Sequence, residues 1–383
     1  MKIAVVSRSW PSNEHSGVSL AAAAHVRMLS ELGYEVSIIG ASSEVTHSND
    51  MPVIYQFWVR ALGSGALYSK ARVDLKALRD AFLRIGPDLI LVEAWQTSLT
   101  DAAIDEANTL GIPTLMISHG IAIHPHTSSL AQWFRAACWM PYRLFRLPSL
   151  LKKLSAITCL DEFSPSNRFF DRNLAQKMGL KIFPLKNSPI HFTEECVPRE
   201  MRKPQILVVG YFSAVKNQIA AINAFNQLGL PIRLKFIGPR KGQYYGECKR
   251  LVSRLGLTEK ILFVEDDECD LSEEIASSVL VFVPSLTEAL PTVLIEAMAC
   301  GTPFVSSAVG AVPCMRGGIN TNENFLQVKA MEDLIEDASL WASYSLLGRL
   351  QYQEEFSYQR IKSQLDSAVK YCLKGNSRDC TLQ

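Results

Sequence analysis

Apolar and polar positions alternate on two scales along the chain. Short β-branched runs recur at Lys2–Ser7, Glu35–Gly40, Pro52–Trp58, Asp88–Val92, Thr114–Ser118 and Ala156–Leu160. Stretches with helical periodicity lie between most of them. One, Val18–Leu32, ends at Gly33, a residue that suits the left-handed turn closing a helix. Apolar strands separated by helices predict a parallel sheet covered on both faces. The pattern breaks over Leu185–Pro204, a stretch with three prolines, mixed charge and no clear period. It then restarts with Gln205–Val209, Arg233–Ile237, Ile261–Val264, Val279–Val283 and Pro303–Ser306, again with helices between. A last helical stretch, about Ser357–Leu373, is followed by a polar tail. The expected division is therefore 1–186 for a first α/β unit and 187–204 for a linker. A second unit over 205–355, a terminal helix over 356–374 and a tail over 375–383 complete it.

Composition narrows the class. At roughly 100–200 residues per domain, 383 residues fit this two-unit division. A chain that is 48% apolar and 20% charged is globular, which excludes collagen, a long coiled coil and wholesale disorder. A net charge of +1 argues against a general polyanion binder, so no nucleic acid is expected as partner. The nine cysteines include no CxxC pair, so neither a zinc ribbon nor a thioredoxin-type site is suggested. Cys159, Cys300 and Cys314 read as small core residues. The N-terminus is charged again too soon for a signal peptide. No apolar run approaches the roughly 18 residues of a membrane span. A cytoplasmic protein is expected.

The richest chemistry lies in PSLTEALPTVLIEAMACGTP, residues 284–303. A buried strand ends at Pro284, and a polar loop carries Glu288. Pro291 suits the first turn of a helix that runs to Gly301. Glu296 falls in its second turn, flanked by Leu294, Ile295, Ala297 and Met298. A carboxylate in such surroundings needs a partner or a ligand. The helix start near Leu290–Val293 offers free N–H groups and the positive end of the dipole, which favour a phosphate.

In this context the sequence resembles glycosyltransferase family 4, retaining enzymes of bacterial polysaccharide or lipopolysaccharide type. Glu288 and Glu296 have the family's glutamate spacing, and LIEAMACGTPFVSS matches its pattern nearly throughout. The resemblance implies the GT-B fold, α/β, with two facing Rossmann-like domains and an interdomain cleft. It implies a sugar contact for Glu288 and a ribose contact for Glu296. Backbone groups of Ala289, Leu290, Pro291, Thr292 and Val293 would serve the sugar and the diphosphate. The loop VVGYFSAVKNQ is similar to the family's second-domain loop: Gly210 would permit close approach and Lys216 would meet the diphosphate. Tyr211 departs from the family's arginine, and Arg240 and Lys241 are candidates to compensate. WPSNEHSGVS resembles the family's glycine-rich loop, with Gly17 near the donor. ISHG matches its His-Gly at a strand end, which makes His119 a contact for sugar or acceptor. Cys314 stands where the family often has glutamate, and the glycine-rich segment after it is reduced to RGGINTNEN. His124 and His126 lie near His119 without a supporting ligand set, so no metal is expected.

Between Glu106 and Asp161 there is no acidic residue. Within this stretch, WFRAACWMPYRLFRLPSLLKK holds Trp133, Arg135, Trp139, Arg143, Arg146, Lys152 and Lys153. Aromatic and basic residues interleaved in this way suit an anionic membrane surface, and Pro141 and Pro148 interrupt any long helix. GSG at Gly63–Gly65 lacks a dinucleotide fingerprint, and DDECD at Asp266–Asp270 lacks the glycine of a calcium loop.

The expected function is retaining transfer of a hexose-type sugar from a nucleotide-sugar donor to a lipid-linked glycan acceptor in cell-surface polysaccharide synthesis. It would take place peripherally on the inner face of the cytoplasmic membrane, with no cofactor and no obligatory metal. Two alternatives stand beside it: a sugar-nucleotide epimerase of the same architecture, and a non-catalytic transferase-like binding subunit. Donor conversion without acceptor would mark the first, and binding without conversion the second.

Overall fold

The computed structural model describes residues 1–11, 17–41, 53–61, 73–121, 130–189 and 196–376. The chain divides into two compact units, Met1–Lys186 with Tyr358–Gln383, and Asn187–Ser357. The second unit takes in the described part of the stretch expected as a linker, whose last residues already belong to a strand.

The first unit holds a seven-stranded parallel sheet. Its strands are β1 (Lys2–Ser7), β2 (Glu35–Ala41), β3 (Gln56–Val59), β4 (Leu89–Glu93), β5 (Thr114–Ile117), β6 (Ala156–Cys159) and β7 (Ile182–Pro184), in the order β3-β2-β1-β4-β5-β6-β7. Side chains alternate across the sheet with the period of two that strands impose. Ala4, Val6, Ile90 and Val92 enter one core with Leu78, Phe82, Leu99 and Leu150. Ile3, Val5, Leu89 and Leu91 enter the other, with Val26 and Leu29 of the helix Gly17–Glu31. The C-terminal helix Tyr358–Asn376 closes that second core with Ile361, Leu365, Ala368 and Val369, all fully buried.

The second unit holds six parallel strands: β8 (Lys203–Val209), β9 (Arg233–Ile237), β10 (Ile261–Val264), β11 (Ser278–Val283), β12 (Phe304–Ser306) and β13 (Gly318–Asn320). Their order is β10-β9-β8-β11-β12-β13. In both sheets the order reverses beside the first strand, where β1 pairs with β4 and β8 with β11. Open parallel sheets take their ligands at the carboxyl ends of the strands flanking such a reversal.

The hydrophobic pattern misses β7 and β13, three-residue edge strands. One ends in proline, and the other opens at Gly318, where a Cβ would lie 2.0 Å from the Phe304 carbonyl oxygen. RGGINTNEN is therefore partly an edge strand whose glycine is required by the backbone of β12. Cys159 and Cys300 are buried as expected, whereas Cys314 is exposed. Among the described residues, no helix is long and apolar enough to cross a membrane.

Leu365→Ala tests the role of the C-terminal helix. It leaves a cavity in the first unit and lowers that unit's stability by about 2–5 kcal/mol. Denaturant unfolding should show an early first transition and an unchanged second one; equal shifts in both would contradict the assignment.

Candidate active site

In the second unit, the parallel pairing of β8 with β11 brings the loops after both strands to one edge. Lys216 Nζ lies 2.7 Å from Glu288 Oε1, and both side chains are largely covered, at 24% and 12% exposure. Lys216 stands two residues before the helix Gln218–Leu228. It closes a turn in which its N–H donates to Ser213 Oγ at 3.2 Å, and Asn217 follows with φ +57° as N-cap of the helix Gln218–Leu228. Gln218 clamps this loop from beneath: its amide donates to the Tyr211 carbonyl at 3.0 Å and accepts from Ser213 N–H at 3.3 Å. Gly210 has φ +136°, a conformation that requires glycine, and a Cβ on Gly238 would sit 2.4 Å from the Gly210 carbonyl oxygen. The ends of β8 and β9 thus touch backbone to backbone.

The Glu288 loop is held in the same way. A Cβ on Gly310 would lie 2.1 Å from the Glu288 carbonyl oxygen, and Gly310 has φ +59°. Next to it, Ala311 N–H donates to the Ala289 carbonyl at 2.8 Å, and Asn187 Nδ2 donates to the Leu290 carbonyl at 2.8 Å. The helix Thr292–Ala299 follows, with Pro291 as its N-cap. Pro291 sits one position before its expected place and has no N–H. The amide donors that a ligand could use here are those of Ala289, Leu290, Thr292 and Val293. A helix start leaves its first N–H groups without intrahelical partners. Glu296 lies in the same helix and is buried, at 5% exposure. Tyr211 is 56% exposed and supplies no cation. Arg240 does not replace the missing arginine, because its guanidinium is tied to Glu265 and Glu268. Beside this site, a cavity of about 380 Å³ is lined by Asn217, Ser285, Leu286, Ser307, Asn322 and Gln327 among others, without a charged side chain.

The first unit has its own polar cluster at the equivalent reversal. Glu93 ends β4, where it pairs in register with Ser7 of β1, and is fully buried. His119, two residues past β5, places Nε2 2.8 Å from Glu93 Oε2, and His25 of the helix Gly17–Glu31 places Nδ1 2.7 Å from Glu93 Oε1. Burial drives this carboxyl upward, but the His25 and His119 imidazoles outweigh it and hold the group at about 2. The backbone after it reverses hand at Ala94 and Gln96, with φ +65° and +68°, which is uncommon for residues with a Cβ. The adjacent loop is pinned by buried Asp171, which accepts from Ser118 Oγ and from Trp95 Nε1. Gly17 opens the helix that carries His25, and a Cβ there would meet open space. The preceding residues 12–16, together with His124, His126 and Gly63–Gly65, lie outside the described residues. Glu93 and His25 were not singled out from sequence. The one available signal was an acid closing an otherwise apolar strand, DLILVE.

The aromatic and basic stretch divides. Trp139 is core, 8% exposed and edge-on to Tyr142 at 5.4 Å, not part of a surface. Arg146 pairs with Asp101 at 3.4 Å and Asp105 at 3.0 Å, and Lys153 with Asp105 at 2.5 Å. These acids sit on the helix Ser98–Thr109, so two of the expected surface cations are neutralised by partners distant in sequence. Burial pushes Asp101 up to about 7 despite Arg146 and the Tyr142 hydroxyl. Arg143 lies over the Phe170 ring at 4.0 Å. Lys152 is exposed, as are Trp133, Phe134, Leu144 and Phe145; the Arg135 side chain lies outside the described residues.

Residues 194–345, within the second unit, match the family model for glycosyl transferases group 1. A 72-residue segment is 40% identical to D-inositol 3-phosphate glycosyltransferase of Mycobacterium tuberculosis. That segment is 18% of this chain and 15% of the relative, a small part of either. Two solved structures resemble nearly the whole chain. Sucrose-phosphate synthase from Thermosynechococcus elongatus has a TM-score of 0.75 at 17% identity, covering 98% of this chain and 99% of that one. Anabaena HepE in complex with UDP has a TM-score of 0.71 at 16% identity, covering 97% and 100%. The architecture is that of the GT-B glycosyltransferases, with two Rossmann-like parallel-sheet domains.

Gly310→Ala should expose the dependence of Glu288 on its backbone support. The added methyl strains a left-handed position, costing about 1–3 kcal/mol, and pushes on the Glu288 carbonyl. Thermal unfolding reads that loss, and a variant as stable as the parent would show that Gly310 does not hold the loop.

Proposed function

We propose that the protein is a retaining glycosyltransferase that moves a hexose-type sugar from a nucleoside-diphosphate donor to a lipid-linked glycan. The observation that carries this reading is the Lys216–Glu288 pair, set at the sheet reversal inside a glycosyl transferases group 1 domain. In the ligand-free protein the two groups satisfy each other. A bound diphosphate offers Lys216 a stronger anion, and Glu288 is released to orient the sugar hydroxyls. The N–H groups at the start of the helix Thr292–Ala299 supply further positive potential for the leaving group. Glu296 takes the ribose. Lys216 and these amides stabilise the departing diphosphate without an obligatory metal. UDP bound to HepE, a relative in fold, supports a nucleotide donor.

A panel of nucleotide sugars, screened by thermal stabilisation, tests the reading, and calorimetry on the best donor follows in the presence of a chelator. Lys216→Ala removes a charge-assisted contact worth about 1.5–3 kcal/mol and weakens donor binding by roughly 10- to 100-fold. Glu288→Gln frees Lys216, so donor affinity holds or tightens while turnover drops about 100-fold. No stabilisation by any donor, or binding lost on chelation, would overturn the reading. Conversion of the donor without acceptor would favour an epimerase, and binding without conversion a non-catalytic subunit.

The membrane part of the proposal rests on Trp133, Phe134, Leu144 and Phe145, which are between 55% and 74% exposed within one short stretch, with Lys152 exposed nearby. Its driving force is apolar insertion more than charge, since Arg146 and Lys153 are already paired. Phe134→Ser with Phe145→Ser should therefore cut co-sedimentation with anionic vesicles several-fold and leave donor affinity unchanged. Sedimentation equal to the parent's would exclude this surface.

A further inference from the structure

The Glu93 cluster uses a buried carboxylate in a way that fixes more than packing. Glu93 is fully buried, and each of its oxygens faces one imidazole nitrogen, His25 Nδ1 at 2.7 Å and His119 Nε2 at 2.8 Å. An ionised carboxylate only accepts hydrogen bonds. Both facing nitrogens must therefore carry their protons. In neutral His119 that leaves Nδ1 as the nitrogen with the lone pair. His119 has no second partner among the described residues and keeps 11% of its side chain exposed, whereas His25 keeps 5%. One ring can meet a ligand and the other stands behind it, their centroids 6.5 Å apart and their planes inclined by 27°.

We propose that Glu93 and His25 are positioning residues. They lock His119 in the Nε2–H tautomer, so that Nδ1 is presented as a hydrogen-bond acceptor to a hydroxyl of the sugar-bearing substrate. The chain of contacts is directional. His25 donates to one carboxylate oxygen and fixes the rotation of the Glu93 carboxyl. The second oxygen then holds the His119 ring and its proton. The backbone reversals at Ala94 and Gln96 stop β4 directly after Glu93, which keeps the carboxylate at the ligand-facing end of the sheet. The proposal rests on the transferase reading for the identity of the ligand, but the tautomer itself does not.

Long-range proton–nitrogen NMR correlation on the full-length protein, above the pH range in which histidine ordinarily titrates, reads the tautomer directly. His119→Gln supplies the assignment by removing its signals. The expected pattern has Nε2 protonated and Nδ1 unprotonated in His119, and Nδ1 protonated in His25. An Nδ1-protonated His119 would overturn the proposal without any reference to activity. Glutamine at position 93 can accept from one ring but must donate to the other, so Glu93→Gln inverts one tautomer. It should lower kcat about 10- to 100-fold, the scale of losing a group that orients a reacting contact. Glu93→Asp keeps an acceptor-only group and should retain the parent tautomers and recover part of kcat. A folded Glu93→Gln variant with parental kcat, or equal losses in the Gln and Asp variants, would also contradict it. Failure of the parent to bind any nucleotide sugar, with the NMR pattern intact, would instead count against the transferase reading alone.

Discussion

Parallel pairing of the first strand of each sheet with a strand from beyond the reversal is the constraint on which both polar clusters depend. β1 beside β4, and β8 beside β11, place loops from distant sequence at one carboxyl edge. Those strands are buried on both faces, so their apolar side chains fix the register, and polar chemistry is confined to their ends. Glu93 is the first such end and Glu288 lies on the loop beyond the second. In each case a carboxylate meets nitrogen cations or imidazoles carried by a neighbouring loop or helix. The crowded backbone around the second cluster follows from the same geometry. Loops converging on one edge must touch, and Gly210, Gly238 and Gly310 are where they do.

Much of this was legible in the amino-acid order. The apolar runs of β1, β4 and β11 stand where periodicity expects them, because strands covered on both faces need continuous apolar sequence. Edge strands β7 and β13 carry no such signal: each is three residues long and is held by a neighbour's backbone. Lys216 and Glu288 were visible through their motifs, but their contact is a product of strand order. His25 was hidden in an alanine-rich helix, and its partner Glu93 lies 68 residues away.

Charge along the chain was the least reliable guide. The stretch from Trp133 to Lys153 has no acid of its own, so it reads as a basic surface. Folding lays the helix Ser98–Thr109 against it, and Asp101 and Asp105 absorb Arg146 and Lys153. What remains outside is mainly apolar, with Trp133, Phe134, Leu144 and Phe145 turned to solvent. Net charge in sequence is a local sum, whereas exposed charge is decided by tertiary partners.

Transfer itself is the most direct test of the central claim. Purified protein, a membrane extract and the donor selected by binding are incubated with the sugar carrying an isotopic label, and the lipid-extractable fraction is counted. Labelled glycolipid should form with the anomeric configuration of the donor retained, and at subsaturating donor its yield should fall by roughly 10- to 100-fold with Lys216→Ala. Donor consumption with no label in the glycan, or a product of inverted configuration, would contradict a retaining transferase.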